Sequence, residues 1–295
     1  MKYHSVKQVA EKYGISERTV RNYCAMGKIE GAYMVGKTWN IPSDALLPDR
    51  KSTKGKISPL LQILKEQKNI KYKGGIYHRT QIDLTYNSNH IEGSKLTHEQ
   101  TRYIFETNTI GITDEVVNVD DLLETLNHFK CIDYIIEYAE DRLTEDFIKK
   151  LHLILKTGTS DSQKEWFNIG DYKRLPNEVG GSETTLPKDV SKEMKLLLKH
   201  YNSLKKYTFE DILDFHVCFE RIHPFQDGNG RIGRLIMFKE LLLKGYVPFI
   251  ITDELKMFYY RGLKEWGHLN GYLTDTCLTA QDNYKALLDY FKIKY

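Results

Sequence analysis

The 295-residue chain has only four cysteines, Cys24, Cys131, Cys218 and Cys277, and no two are spaced as a pair. That scatter argues against a disulfide framework or a zinc site and points to a reducing compartment. Neither charge dominates: the formal net charge is +3 and the pI about 8.4, so no globally polybasic or polyacidic partner is implied. Long apolar runs are missing too. The most apolar stretch, "LIMFKELLLKGYVPFII", is broken by Lys239, Glu240 and Lys244, too charged for a membrane span. The opening "MKYHSVKQVAEKYG" has no apolar core of a signal peptide, which places the expected location in the cytoplasm with no membrane partner. There is no internal repeat, no low-complexity tract and no Gly-x-x-x-x-Gly-Lys phosphate loop. What remains is an ordinary globular composition, 41% hydrophobic with 20 tyrosines, long enough for one large or two unequal domains.

The first fifty residues read as a unit. Ser5 followed by Gln8 has the spacing of a capping box, and Val6, Val9, Ala10 and Tyr13 fall at helical spacing before Gly14. Ser16 can cap a second helix, "SERTVRNYCAMG", and "YMVGKTWNI" predicts a hairpin around Gly36-Lys37. Helix, turn, helix and hairpin resemble the small winged helix-turn-helix domains of the MerR and excisionase type. The resemblance implies a DNA partner, with Arg18, Arg21 and Lys37 as contacts. The alternative is a helical pair that docks a protein. A linker rich in Pro, Ser, Gly and Lys follows, and from about residue 60 the apolar spacing is helical.

The stretch "HPFQDGNGRIGR", residues 223–234, gathers the most chemistry. Pro224 ends the preceding apolar helix at His223, "FQDGNG" forms a loop, and a second helix begins near Arg231 and runs to Gly245. Arg231 and Arg234 are expected in its first turn, on one face, where positive charge is unfavourable unless an anion binds. Backbone N–H groups of Gly228, Asn229 and Gly230 would form a nest at the same place, and two guanidiniums suit phosphate oxygens. Asp227 beside bound phosphates calls for Mg²⁺ between them. His223 titrates near neutral pH and suits a general base. Base, metal carboxylate and anion cradle together imply transfer of a phosphorus-centred group.

These twelve residues resemble the signature of the Fic family, His-Pro-Phe-x-(Asp/Glu)-Gly-Asn-Gly-Arg-x-x-Arg, without departure. The resemblance implies a mainly α protein over residues 61–295, a Fic-type helical bundle with a small β-hairpin flap. It also implies transfer of AMP from ATP to a Tyr, Ser or Thr hydroxyl of a protein, which could be the chain itself. His223 would be the base, Phe225 the loop's anchor, Asp227 the Mg²⁺ ligand, Gly228 to Arg231 the phosphate cradle, and Arg234 the γ-phosphate contact. A Doc-type phosphotransferase is the rival within the fold, against which Gly230 speaks. A DNA-binding regulator that senses nucleotide is the rival outside it.

"SNHIEG" carries a second misplaced charge. Ile82, Tyr86 and Ile91 predict a short helix around 80–93 stopped by Gly93, which puts Glu92 at a helix C-terminus, where a cation is wanted. Ser88 through Glu92-Gly93 resembles the family's inhibitory helix, whose glutamate pairs with the last arginine of the signature. This implies autoinhibition through Arg234. Some relatives also use this glutamate to position water for removing AMP. Two further segments match less closely. Gly180-Gly181 in "LPNEVGGSETTLP" predicts a hairpin at the place of the family's flap, with Asn177, Glu178 and Val179 nearest the nucleotide. Tyr259 and Tyr260 in "MFYYRGLKEWG" resemble residues beside the adenine, although Gly267 stands where relatives often carry Asn; plain core packing is the alternative. The expected architecture is a winged helix-turn-helix over 1–48, a linker over 49–60 and the helical domain over 61–295.

Overall fold

Capping and periodicity set the N-terminal elements. In the computed structural model, which describes residues 3–13, 17–25, 27–36, 38–45, 58–111 and 116–295, β1 (Tyr3–His4) leads into α1 (Val6–Tyr13). Ser5 and Gln8 form a reciprocal cap: Ser5 N–H donates to Gln8 Oε1 at 2.9 Å and Gln8 N–H to Ser5 Oγ at 3.3 Å. Then come α2 (Glu17–Ala25), β2 (Tyr33–Val35) and β3 (Thr38–Pro42). The sheet order is β1-β3-β2, all antiparallel. β1 has no sequence signal; it forms because β3 offers Ile41 and Pro42 as a free edge for Tyr3 and His4. Val6, Val9, Ala10, Val20, Cys24, Ile29 and Ile41 make a small core of their own. Tyr13, expected on the apolar face, is exposed instead and donates its hydroxyl to Ala45 O. Gly14, Ser16, Lys37 and the Arg18 side chain lie outside the described residues.

The chain divides into residues 1–56 and 57–295. The larger unit opens with α3 (Pro59–Asn69), which starts inside the stretch read as linker, with Pro in its first turn. Helices α4 (Ile76–Ile91), α5 (His98–Thr107), α6 (Val119–Glu137) and α7 (Glu145–Lys156) follow. A hairpin of β4 (Glu178–Val179) and β5 (Ser182–Glu183) precedes α8 (Pro187–Ser203) and α9 (Phe209–Ile222). Helices α10 (Asn229–Lys244), α11 (Lys256–Glu265) and α12 (Gly271–Tyr290) complete it. No described helix is long and apolar enough to cross a membrane.

α10 is the axis. It is buried from Asn229 to Leu242, and α4, α6, α7 and α9 all pack on it. α4 begins earlier than its apolar spacing predicts, because Gln67 Oε1 accepts from Tyr77 N–H at 3.0 Å. Its period is masked by buried polar residues, each matched across the core. Thr80 meets the Tyr284 hydroxyl at 2.7 Å, Thr85 meets His128 Nδ1 at 3.0 Å, and Asn89 donates to Thr125 at 3.2 Å. α4 is therefore a core helix, and its last turn faces α10.

Candidate active site

Residues 223–228 join α9 to α10, and their shape is set locally. His223 caps α9 with φ +51°, a left-handed conformation unfavourable for a residue with a Cβ. It is held there by its own N–H, which donates to Phe219 O at 2.9 Å. Its Nδ1 lies 3.2 Å from the Glu220 carbonyl, which can only accept. Nδ1 therefore carries the proton and Nε2 keeps the lone pair. Burial, with Lys173 nearby, pulls the imidazole below its ordinary pKa, so it is neutral at neutral pH. Phe225 is fully buried and stacks on His152 with ring centres 4.0 Å apart. Asn229 closes the loop with its side chain, accepting from Phe225 N–H and donating to Phe225 O, both at 2.8 Å. Gly228 sits at φ +82°, the turn that lets α10 start.

Arg231 lies in the first turn of α10, but Arg234 lies in the second, one turn later than its spacing from the loop predicts, because the helix starts at Asn229. Neither guanidinium is open to solvent; both are 4% exposed. Arg231 gives NH1 to Glu124 and NH2 to Asp227 Oδ2 at 3.0 Å, leaving its Nε–H without a partner among the described residues. Lys156, the last residue of α7, completes a closed ring: its Nζ lies 2.5 Å from Glu124 and 2.7 Å from Asp227 Oδ2. A third carboxylate, Asp161, stands 2.8 Å away. Burial alone would lower the Lys156 pKa, but Asp227 and Glu124 outweigh it and raise it. Asp227 is held well below the usual carboxylate range: burial pushes it up, and Arg231 and Lys156 more than reverse that.

Asp227 stays half exposed, and both its ion pairs fall on Oδ2. Among the described residues no group of three or more His, Cys, Asp and Glu is placed to hold a metal. A site with one accessible carboxylate suits Mg²⁺ that brings phosphate oxygens with it.

Arg234 reaches α4. Its Nε donates to Ser88 Oγ at 3.1 Å, and its NH2 donates to Ser88 O at 2.9 Å and Glu92 Oε1 at 2.7 Å. Glu92 is the cap residue ending α4, so the guanidinium also meets the helix's C-terminal carbonyls. Gly230 is what lets the carboxylate in: a Cβ there would lie 2.2 Å from Glu92 Oε1. Behind Arg234, burial drives the Glu220 carboxyl up to about 8, with Arg234 opposing.

The hairpin is tied to the loop. Asn177 Nδ2 donates to Phe225 O at 3.1 Å, while Glu178 and Val179 point into solvent. Lys173 pins both ends of it, donating to Asn177 Oδ1 and Thr184 Oγ1, each at 2.6 Å. Its burial pulls the ammonium down to about 8. The two tyrosines part company. Tyr259 is 1% exposed and its hydroxyl lies 2.6 Å from His216 Nε2, so it packs as core and offers a ligand no face. Tyr260 is exposed and donates to Ile91 O at 3.3 Å, beside Glu92. Arg21 is exposed on α2 and pairs with Glu17 at 2.7 Å.

Sequence reasoning missed Lys156, Glu124, Asp161 and Lys173. A signal existed for two of them. Lys156 continues the buried row Ile148–His152 at four-residue spacing, and Glu124 stands in the same relation to His128.

Residues 142–241 match the Fic/DOC family. This part of the chain is similar to a Fic domain. The chain is 29% identical to a protein adenylyltransferase Fic of Nematostella vectensis over 62% of its own length, and 30% identical to one of Drosophila virilis over 61%. It spans only 42% and 36% of those relatives. A Fic-domain-containing signaling protein of Bacteroides thetaiotaomicron superposes with a TM-score of 0.58 at 26% identity, covering 78% of this chain and 90% of that one. A Fic family protein of Desulfovibrio desulfuricans gives 0.61 at 20% identity, covering 82% and 78%, a likeness of fold alone. The fold is thus shared with solved proteins well beyond the hundred residues that match the family.

Proposed function

We propose that the chain is a protein adenylyltransferase that moves AMP from ATP to a Tyr, Ser or Thr hydroxyl of a protein, and that Glu92 holds it off. The observation that carries this is the placement of His223, with Nδ1 3.2 Å from the Glu220 carbonyl. A base with Nδ1 fixed on a carbonyl and Nε2 free stands at the start of a loop whose far end is a helix N-terminus. Nε2 takes the proton of the target hydroxyl as that oxygen attacks the α-phosphorus. The bond from the α-phosphorus to the bridging oxygen breaks, and pyrophosphate leaves. Backbone N–H groups at Gly228, Asn229 and Gly230 cradle the phosphates, helped by Arg231 through its Nε–H and its charge. Mg²⁺, held by Asp227, supplies neutralising charge to the phosphates. The hairpin at Asn177, Glu178 and Val179 pins the target segment by main-chain pairing, as in strand addition. Tyr260 is the residue of the Tyr259–Tyr260 pair with surface to offer the base.

Glu92 occupies the guanidinium that the γ-phosphate needs. ATP bound without Arg234 is misaligned, and transfer of this kind depends on alignment. Intact mass spectrometry after incubation with ATP and Mg²⁺ tests the reading. An AMP adduct is expected on Glu92→Gly, and none on wild type or on Glu92→Gly/His223→Ala. A phosphate adduct would instead make the chain a phosphotransferase.

Residues 1–48 form the DNA-binding part in this reading, with α2 entering the groove and the β2–β3 hairpin as wing. Two helices followed by a hairpin favour it, and Arg21 is available on the exposed face of α2. Retention on duplex DNA by the full chain, and not by residues 57–295, checks this.

A further inference from the structure

Lys156 takes no part in the transfer chemistry, yet it is the cation on which the site converges. It is 2% exposed, and its three N–H donors go to Glu124, Asp227 and Asp161. No donor is left for a phosphate, so it does not act as the lysine of a phosphate-binding loop does. It ends α7, where the helix dipole favours positive charge, and α6, the loop and the turn after α7 each bring it one carboxylate. Charge is balanced without any metal. Lys156 and Arg231 face Glu124 and Asp227 in a closed ring, and Asp161 is shared with the outer Lys164 at 2.6 Å.

We propose that Lys156 is a resident cation that keeps a divalent metal off Asp227 until nucleotide arrives. Resting on the reading of Asp227 as the metal carboxylate, this makes the metal enter only as its nucleotide complex. A dication approaching Asp227 alone meets an ammonium already 2.7 Å from that carboxylate and a guanidinium at 3.0 Å. Like charges this close repel strongly in a partly buried site. The phosphates of a nucleotide bring several negative charges, which reverse the balance and supply the remaining metal ligands. The exposed side of Asp227 remains open to that complex while Oδ2 stays on Lys156. Lys156 is thus a positioning residue that also sets the order of binding.

The test uses the full chain carrying Glu92→Gly, so that Arg234 is free, with Mn²⁺ as probe and an α,β-methylene analogue of ATP. Water-proton relaxation separates Mn²⁺ on protein from Mn²⁺ on free nucleotide. With Lys156 present, uptake of Mn²⁺ is expected only when the analogue is added. Lys156→Met and Lys156→Gln should bind Mn²⁺ without nucleotide, tighter by about tenfold or more, and lose it again with Asp227→Asn. Nucleotide-free, Asp227-dependent uptake by the protein that keeps Lys156 overturns the proposal, whether or not the variants fold. So does the absence of a new site in folded variants. If the parent takes up no Mn²⁺ even with the analogue, Asp227 is not the metal carboxylate, and the earlier reading falls instead.

Discussion

Glu220 lies against α10 where Gly233 has no side chain; a Cβ there would stand 2.5 Å from its Oε1. That oxygen is buried without a partner among the described residues, and the carboxyl is driven up from 4.5 to about 8 by burial. The folded state thus keeps a proton that the unfolded chain releases. Stability from this group is fully present below pH 4.5 and is lost as pH rises to about 8. Glu220→Gln removes that dependence, so its melting temperature relative to wild type should climb by a few degrees from the lower pH to the higher. A difference that stays level across the range would show that Glu220 does not hold a proton. Such properties have no local signature. Likewise, the spacing of Arg231 invites a phosphate, but Glu124, more than a hundred positions away, takes its NH1.

The flap illustrates how a short hairpin is held. With two residues per strand, β4 and β5 cannot hold their place by pairing alone. Lys173 supplies what the strands lack, joining Asn177, Thr184 and the Ile222 carbonyl next to His223. Lys173→Met removes charge-assisted bonds at both ends of the hairpin. Amide exchange over residues 177–184 should quicken by roughly tenfold or more while α9 stays protected. Unchanged exchange there would assign the flap's position to Asn177 and Phe225 instead. Gly180-Gly181 made the turn legible in the sequence; the lysine that anchors it was not, since Lys173 reads as one more charge in "DYKRLP".

The two units each bury their own apolar residues: Val6 to Ile41 in one, and the clusters around α4, α6, α9, α10 and α12 in the other. The larger unit has what independent folding requires. If the proposed AMP transfer is the activity, the fragment 57–295 carrying Glu92→Gly should show it within about twofold of the full chain, by intact mass. A fragment that is folded but inactive would place part of the machinery in residues 1–56. Among the described residues of the small unit, by contrast, the buried apolar cluster numbers seven, and cores of that size are marginal.

What sequence settles here is whatever closes within a few residues. The capping box at Ser5–Gln8 is of this kind, as are the 3.6-residue periods of α7 and α9 and the left-handed turn ahead of α10. Residues 223–234 belong with them, because the loop's hydrogen bonds run between Phe225 and Asn229. Packing settled the rest: β1 on β3, Tyr259 in the core, Arg231 given to carboxylates, and Lys156 at the centre of a charge ring assembled from α6, α7, the loop and α10. The reason is that a helix fixes which side chains share a face, while the partner that meets that face comes from a distant part of the chain. A buried charge is tolerated only where such a partner arrives.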